Sequence, residues 1–277
     1  MTAQLIDIGA NLTKSIFEKD YERVLARAHS AGVTAIVVTG TTVDTSRFAC
    51  GLTTGDARPG RPDIFATAGV HPHHATTLAG HVPDLRRLLA LPRVVAVGEC
   101  GLDYNRDYSP RDVQRQAFET QLELAADIRK PVFLHDRDAT DDFVEILTRW
   151  RPKLVGGVVH CFTGDESAMD RYLALDMHIG ITGWICDDRR GMHLRELVKR
   201  VPKGRLLVET DAPFLYPRDL PESSGHARRS HARNEPAIVA HVARAVAKHR
   251  SESFEELAKH TTDAACALFH LPVASAR

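Results

Sequence analysis

The sequence lacks long apolar runs, paired cysteines and a surplus of charge of either sign. No stretch approaches about 18 uninterrupted apolar residues, and the first residues have neither the basic nor the apolar region of a signal peptide. We therefore expect a protein that neither crosses a membrane nor is exported. The five cysteines are odd in number, scattered and without a CxxC pair, which is typical of reduced thiols in a cytoplasmic protein.

The balanced charge also limits how this protein could recognise a nucleic acid. Lys+Arg and Asp+Glu number 36 each, so no overall field would draw in a polyanion from a distance. Contacts with a nucleic acid would therefore have to be local. The sequence gives no sign of an obligate protein partner.

Short apolar runs alternate with amphipathic segments along the whole chain. Eight runs have the continuous Val, Ile and Leu content of buried parallel strands. They cover residues 5–9, 35–40, 64–69, 94–98, 132–135, 155–160, 178–182 and 206–210. The clearest helical pattern spans residues 112–130 and stops before Pro131. After the eighth strand, a polar loop at 217–236 precedes helical segments at 237–248, 254–260 and 262–269.

This alternation predicts an α/β fold. Eight strands separated by helices favour a parallel sheet that closes into a TIM (β/α)8 barrel. The length of 277 residues suits one such barrel, which commonly has roughly 250 residues, so we predict a single domain over residues 1–277. A doubly wound open sheet is the alternative.

Four of the predicted strands end in a residue that can bind a metal ion. These residues are Glu99, His135, His160 and Asp211. Parallel strands of a barrel end at the same mouth, where barrel enzymes place their active sites, so we expect the four side chains to converge. Each alone could be a hydrogen-bonding residue or a helix cap, but the shared position favours a metal site. Imidazole and carboxylate ligands suit Zn, Mn, Mg or Ni.

A metal site of this kind favours hydrolysis. A bound cation can lower the pKa of water to about 7 and polarise a carbonyl or phosphoryl oxygen. We predict that Asp211 is the catalytic base that accepts the proton of this water, with a second contact to the metal. Glu209 points to the same side of the strand, where it could bind the metal, assist catalysis or form an ion pair inside the barrel.

Other polar residues around the same mouth are candidate substrate contacts. The third strand is followed by His71, His73 and His74. These imidazoles could bind a metal ion, bind phosphate in their protonated form, or belong to an ordinary polar loop. We predict that His71 and His73 contact substrate and that His74 has no role. Arg137 could neutralise a substrate anion, or it could pair with Asp138 or Asp141 at the start of a helix.

The loops after the seventh and eighth strands offer contacts for bases and phosphates. Trp184 could stack on a base or pack within the core. Four arginines in the loop after the eighth strand suit phosphate groups, although a charged loop is commonly only solvated; they are Arg218, Arg228, Arg229 and Arg233. Of these, Arg233 is the predicted substrate contact.

Six short motifs together resemble a known family. They are Asp7-Ile-Gly-Ala-Asn-Leu, Thr67-Ala-Gly-Val-His-Pro-His, Val97-Gly-Glu-Cys-Gly-Leu-Asp-Tyr, His160-Cys-Phe-Thr-Gly, Glu209-Thr-Asp-Ala-Pro and Arg233-Asn-Glu-Pro. This set resembles the TatD metal-dependent deoxyribonucleases, from the first strand to the loop after the eighth. The resemblance implies an amidohydrolase-like TIM barrel, a divalent metal site and hydrolysis of phosphodiester bonds in DNA. It further implies a 3′-to-5′ exonuclease acting on single strands, with a role in DNA repair.

The resemblance also implies roles for particular residues. Glu99, His135 and His160 would be metal ligands, and Asp211 would be a ligand or the base that activates water. Most of the wider family begins with an Asp-x-His-x-His pattern, but the corresponding positions here are Gly9 and Asn11. Glycine offers no ligand and the amide oxygen of Asn11 is a weak one, so we assign Asn11 to substrate binding.

The expected cofactor is therefore a divalent metal with one tight site. We expect the ion at Glu99, His135 and His160, and only loose binding at any second position. Mg is the first expectation for the metal, with Mn and Zn as alternatives.

The sequence thus predicts a cytoplasmic metal-dependent deoxyribonuclease that shortens single-stranded DNA, or RNA, from an end. An amidohydrolase-like enzyme acting on an amide or ester is one alternative, because the same nucleophile attacks carbonyls. The arginines near the mouth favour the phosphodiester. A non-catalytic nucleic-acid-binding barrel is a second alternative, since the first-strand imidazoles are missing.

Overall fold

All eight predicted strands are present in the structure, a computed structural model that describes residues 3–54, 59–220 and 233–272. The strands are β1 (Leu5–Ala10), β2 (Val33–Val38), β3 (Asp63–Ala68), β4 (Val94–Asp103), β5 (Val132–Arg137), β6 (Gly157–Val159), β7 (His178–Ile181) and β8 (Leu206–Val208). Each strand pairs in parallel with the next one in the sequence.

The sheet closes where β1 meets the end of β8. Ala10 and Ala212 form a parallel bridge, and the backbone N–H of Asp211 donates to the carbonyl of Gly9 at 2.8 Å. The backbone N–H of Asn11 donates to the carbonyl of Ala212 at 2.6 Å. Sequential strand order with closure identifies the predicted TIM barrel. The doubly wound alternative is wrong, because such a sheet stays open and its strand order reverses.

Helices follow the strands around the outside of the barrel. They are α1 (Tyr21–Ser30), α2 (Val43–Leu52), α3 (Val82–Leu89), α4 (Arg111–Ile128), α5 (Thr140–Trp150), α6 (Glu166–Ala174), α7 (Met192–Leu197), α8 (Val239–Arg250) and α9 (Phe254–Phe269). The helix predicted over residues 112–130 corresponds to α4. It ends two residues early because Arg129 adopts a left-handed conformation with φ 54°.

The last helix corrects a prediction. The segments 254–260 and 262–269 form one continuous helix, α9, rather than two. The hydroxyl of Thr261 donates to the carbonyl of Leu257 at 2.9 Å, so this polar residue is accommodated inside the helix and does not interrupt it. Ser253 and Glu256 form a capping box at the start of α9.

Strand lengths differ from the prediction near the C-terminal mouth. β4 continues five residues beyond Gly98, to Asp103. By contrast, β6 and β8 end at Val159 and Val208, so the candidate residues that follow them lie in loops. Side chains in loops can turn towards the centre of the mouth without following the alternation of a strand.

Apolar side chains fill the barrel interior towards its N-terminal mouth. Ile8, Val37, Phe133 and Leu207 are buried in one cluster with residues from the end of α9. The hydroxyl of Thr262 on α9 donates to the carbonyl of Gln4, just before β1, at 2.9 Å. Helix α9 therefore covers the N-terminal mouth, and the C-terminal mouth is left for function. None of the helices in the described ranges combines the length and apolar character needed to cross a bilayer.

Candidate active site

A buried carboxylate on β4 lies at the centre of the C-terminal mouth. Glu99 Oε1 lies 2.8 Å from His160 Nε2 and 3.0 Å from His135 Nδ1. The same oxygen lies 3.3 Å from Nε2 of His71. Three imidazoles, carried by the ends of β3, β5 and β6, thus surround one carboxylate oxygen on the strand between them.

The position of His71 suits metal binding, one of the roles that the sequence left open. His71, Glu99 and His135 place one potential ligand atom each within 4.8 Å of one another. His160 approaches Glu99 but lies outside this group of three. The sequence favoured His71 as a substrate contact and left metal binding open. The residue lies three positions after β3, which pairs with the strand that carries Glu99. That adjacency was the signal for a possible ligand.

The charges around Glu99 favour its ionised form. Burial alone would raise the pKa of Glu99, but the charge of His160 and hydrogen bonds from His135 and His160 hold it well below its usual value. Burial lowers the pKa of His71 to about 4, so this imidazole is neutral near pH 7. A neutral imidazole has the free lone pair that a metal ligand needs.

The donor set fits a divalent cation. Burial opposes protonation of His135 and His160, yet their carboxylate neighbours raise the pKa of both imidazoles. A cation could supply the positive charge beside Glu99 in place of protons on these rings, because metal binding at such a site displaces protons. Imidazole nitrogens around one carboxylate are a common ligand set for Zn, Mn and related ions.

Asp103 at the end of β4 is a functional candidate that the sequence reasoning missed. Its Oδ2 atom lies 2.7 Å from His73 Nε2 and 3.3 Å from His135 Nε2. Burial opposes ionisation, but hydrogen bonds from His135 and His73 hold the pKa of Asp103 well below its usual value. Because Asp103 follows Glu99 by four residues on one strand, both point to the same side, and this spacing could have identified it.

Asp211 lies beside the histidine cluster in the loop after β8. Its Oδ1 accepts a hydrogen bond from Asn11 Nδ2 at 2.8 Å. Burial raises the pKa of Asp211 to about 7; His160 and Asn11 oppose this rise, while Glu99 and Glu209 add to it. A carboxyl group with this pKa can both accept and release a proton near neutral pH.

Glu209 lies beneath the cluster and does not line the cleft. It is fully buried, with Oε2 at 3.4 Å from His160 Nδ1. Its Oε1 atom accepts the backbone N–H of Cys161 at 2.5 Å. This geometry is that of the ion pair inside the barrel, one of the alternatives that the sequence left open, and it orients the imidazole of His160.

An open cleft of about 1190 Å³ gives access to the cluster. Several residues predicted from the sequence line it: Asn11, His71, His73, Glu99, His135, Arg137, His160, Trp184 and Asp211. The ring of Trp184 lies 5.2 Å from the guanidinium carbon of Arg190, and the ring of Phe214 lies 5.9 Å from Lys14 Nζ. Aromatic faces and cations therefore stand together at the cleft wall.

The predicted substrate contact Arg233 lies outside the lining of the cleft. Its guanidinium pairs with Asp20 at 2.7 Å and lies 4.7 Å from the centre of the Phe17 ring. Arg218 pairs with Asp187 at 2.9 Å. The remaining arginines of this loop, at positions 228 and 229, lie outside the described residues.

Comparison with known proteins identifies relatives along nearly the whole chain. The sequence model of a family described as TatD related DNase matches residues 6–270. The protein named 3′-5′ ssDNA/RNA exonuclease TatD from Pantoea sp. (strain At-9b) is 49% identical over 268 residues, covering 96% of this chain and 100% of the relative. The protein of the same name from Citrobacter rodentium is 45% identical, covering 98% and 100%.

Solved structures agree with these sequence matches. The TatD homolog YJJV from Escherichia coli K12 superposes with a TM-score of 0.83 at 29% identity, covering 98% of this chain and 100% of the other. A hydrolase TatD family protein from Entamoeba histolytica gives a TM-score of 0.85 at 26% identity, covering 97% and 99%. The similarity therefore extends to the whole barrel.

Proposed function

Because the chain belongs to the family of TatD-related DNases, we propose that it is a metal-dependent exonuclease that shortens single-stranded DNA or RNA from the 3′ end. The observation that carries this proposal is the convergence of three imidazoles on the Glu99 carboxylate at the floor of an open cleft. The relatives named as exonucleases supply the substrate and the polarity.

The proposed cation site consists of Glu99 with His135, His160 and His71. A divalent cation held there would supply Lewis-acid chemistry, polarising a phosphoryl oxygen and acidifying water. The imidazole nitrogens favour Zn or Mn over Mg, whose preferred ligands are oxygens. We therefore propose that Mg, the metal first expected from the sequence, would bind only at a weaker, oxygen-rich position near Asp211.

The residues around the cluster have separate roles in the proposed reaction. Asp211 accepts the proton of the attacking water, and Asn11 fixes its carboxylate through the hydrogen bond at 2.8 Å. Glu209 holds the imidazole of His160, and Asp103 holds that of His135. Arg137 and His73 line the cleft, where we propose that they contact phosphate.

The wall of the cleft suits unpaired bases. Every base has a π-face, so stacking on Trp184 or Phe214 would bind a single strand without selecting a sequence. Bases in a duplex are already stacked on one another and are unavailable for such contacts. The cations Arg190 and Lys14 beside these rings would approach the phosphate backbone of a bound strand.

Digestion of end-labelled strands tests the proposal. A 5′-labelled single strand should shorten step by step when Mn²⁺, Zn²⁺ or Mg²⁺ is added, and EDTA should abolish the shortening. Blocking the 3′-hydroxyl end should stop the reaction, whereas a block at the 5′ end should not. Metal-dependent removal of nucleotides from the 5′ end would contradict the polarity, and the absence of any shortening would contradict the nuclease itself.

The two alternatives from the sequence have weaker support. The amide or ester hydrolase would use the same cluster, but the relatives at 45–49% identity carry the name of an exonuclease. A binder without activity would have no need for four potential ligands that converge on one buried site. Release of mononucleotides in the digestion experiment would exclude both.

A further inference from the structure

A second group of potential metal ligands lies outside the active-site cleft. Among the described residues, Cys186, Asp219 and His241 place a sulfur, a carboxylate oxygen and an imidazole nitrogen within 4.8 Å of one another. The three residues are absent from the lining of the cleft. The proposed hydrolysis gives them no role.

Three separate parts of the barrel contribute to this group. Cys186 ends a short 3₁₀ helix, Gly183–Cys186, that follows β7. Asp219 lies in the loop after β8, and His241 lies in the first turn of α8, which packs against the short helix. The fold, rather than local sequence, brings these side chains together.

The three potential ligand atoms lie close enough together to share one ion. His241 Nε2 lies 2.7 Å from Asp219 Oδ1. In a zinc site, nitrogen and oxygen ligands at about 2.1 Å from the ion lie about 3.4 Å from each other, so a small side-chain rotation would admit the ion. Cys186 is 2% exposed and the side chain of Asp219 is 46% exposed. The site is therefore closed on one side and open to a water ligand on the other.

The local charges also suit a divalent cation. A thiolate and a carboxylate together carry the two negative charges that would neutralise it. Nearby arginines are engaged by other carboxylates, since Arg218 pairs with Asp187 at 2.9 Å and Arg195 pairs with Asp188 at 2.7 Å.

We propose that Cys186, Asp219 and His241 bind a structural zinc ion that joins the loop after β8 to the short helix after β7 and to α8. Thiolate and imidazole ligands select zinc over magnesium or calcium, which prefer oxygen. Two of these elements carry aromatic residues of the cleft wall: the short helix carries Trp184, and the loop after β8 carries Phe214. The ion would hold this wall from its outer side.

The competing description is a chain of hydrogen bonds without a metal. In that state the thiol of Cys186 donates to Asp219, which also lies within hydrogen-bond distance of His241. The two descriptions differ in metal content and in thiolate formation, because zinc binding requires the thiolate.

Zinc content provides the first test. The active-site cation is removed by the double substitution His71→Ala and His135→Ala, and this protein is dialysed against zinc and then against metal-free buffer. We expect one retained zinc ion per chain, which Cys186→Ser and the half-exposed Asp219→Asn should each abolish. Cys266→Ser is the matched control and should keep the ion. Equal zinc content with and without Cys186→Ser would overturn the proposal.

Cobalt provides a second test that detects the thiolate directly. Co²⁺ bound to a thiolate produces a charge-transfer absorption in the near ultraviolet. In the same double-substituted protein, Cys186→Ser should remove this absorption, whereas Cys161→Ser, next to the active-site His160, should leave it. Absence of the band, or its loss only with Cys161→Ser, would contradict the site. Circular dichroism of the Asp219→Asn protein confirms that loss of metal is not loss of fold.

Discussion

Gly9 leaves the space that the carboxylate of Glu209 occupies. A β-carbon at position 9 would overlap Oε2 of Glu209 and lie 3.1 Å from Phe133 Cζ. A β-carbon at Gly180 would overlap the other carboxylate oxygen in the same way. Gly9 stands where the wider family places its first imidazole. A side chain at position 9 and a buried Glu209 therefore exclude each other in this chain.

Substitution Gly9→Ala should destabilise the protein by about 1–3 kcal/mol, because the added methyl group displaces a carboxylate held by the N–H of Cys161. Urea unfolding measures the loss. In the Glu209→Ala background the methyl group finds space, so the two substitutions should be coupled by about 0.5–3 kcal/mol. Additive effects would contradict the proposed overlap.

The matched control for this experiment is Gly51→Ala. Gly51 lies in α2, and a β-carbon there would meet nothing within 4 Å. Alanine is the better helix former, so this substitution should be neutral or stabilising by up to about 1 kcal/mol.

Substitution Glu99→Gln should abolish tight metal binding and lower nuclease activity by at least about 10²-fold. Glutamine keeps the shape of the side chain but removes the negative charge that the surrounding imidazoles and a cation require. Substitution of residues that only hold a metal ligand in place already lowers metal affinity or activity by about 10–100-fold, so loss of a ligand should cost at least as much. Metal content and kcat/KM are the measurements. His135→Ala should behave in the same way, whereas the exposed His81→Ala should match the parent protein. Parental activity in Glu99→Gln would contradict the proposed site.

Substitution Asp103→Asn should weaken metal affinity by about 10–100-fold while the fold is retained. The carboxylate lies 3.3 Å from His135 Nε2 and fixes the ring with Nδ1 towards Glu99. Titration of the metal-free protein with Mn²⁺ gives the affinity, and saturating metal should restore most of the activity. The control is Asp63→Asn, at the start of β3 and paired with Arg93. Activity that metal does not restore would assign Asp103 a different role.

Substitutions Trp184→Ala and Phe214→Ala should raise KM for single-stranded DNA with little effect on kcat. Base stacking contributes about 1–3 kcal/mol per base, which corresponds to roughly 5- to 150-fold in KM. Phe48→Ala removes an aromatic side chain that is 48% exposed on α2, away from the cleft, and should have no effect. A fall in kcat at unchanged KM would exclude the stacking role.

The buried Asp7 on β1 should make stability depend on pH. Burial raises the pKa of Asp7 to about 8, although hydrogen bonds from Thr210 and Gly9 oppose the rise. The folded state keeps this proton up to about pH 8, whereas the unfolded chain releases it near pH 4. The folded state thus binds more protons between these values, and the free energy of unfolding should fall as pH rises, by at most about 1.4 kcal/mol per unit.

Substitution Asp7→Asn tests this dependence because asparagine cannot ionise. Between about pH 5 and pH 8 its unfolding free energy should fall less steeply than that of the parent protein. Asp20→Asn is the control, because the pKa of Asp20 is shifted in the opposite direction. Hydrogen bonds from Arg233 and the charges of Arg233 and Arg27 hold this pKa below its usual value. The contribution of Asp20 to stability is therefore constant between about pH 5 and pH 8 and is lost only in acid. Parallel pH profiles for Asp7→Asn and the parent would refute the assignment.

The strands, and the end of the barrel at which the site lies, could be predicted from sequence because both depend on local patterns. A run such as Val94–Gly98 is apolar on both faces, and the position of Glu99 directly after it specifies the mouth of the barrel. The extent of α9 was harder to predict, because whether Thr261 breaks a helix depends on where its hydroxyl donates. Strand ends were also less certain, since pairing with neighbours sets them.

The sequence by itself determined the barrel and the mouth at which chemistry-bearing residues gather, since the hydrophobic period of each segment specifies which residues are buried. Only the tertiary structure decided that His71 contacts Glu99, that the carboxylate of Glu209 fills the space beside Gly9, and that Cys186 lies close to His241. These contacts join residues that are distant along the chain. Their distances depend on strand register and loop geometry, which the whole packed barrel fixes and no local pattern encodes.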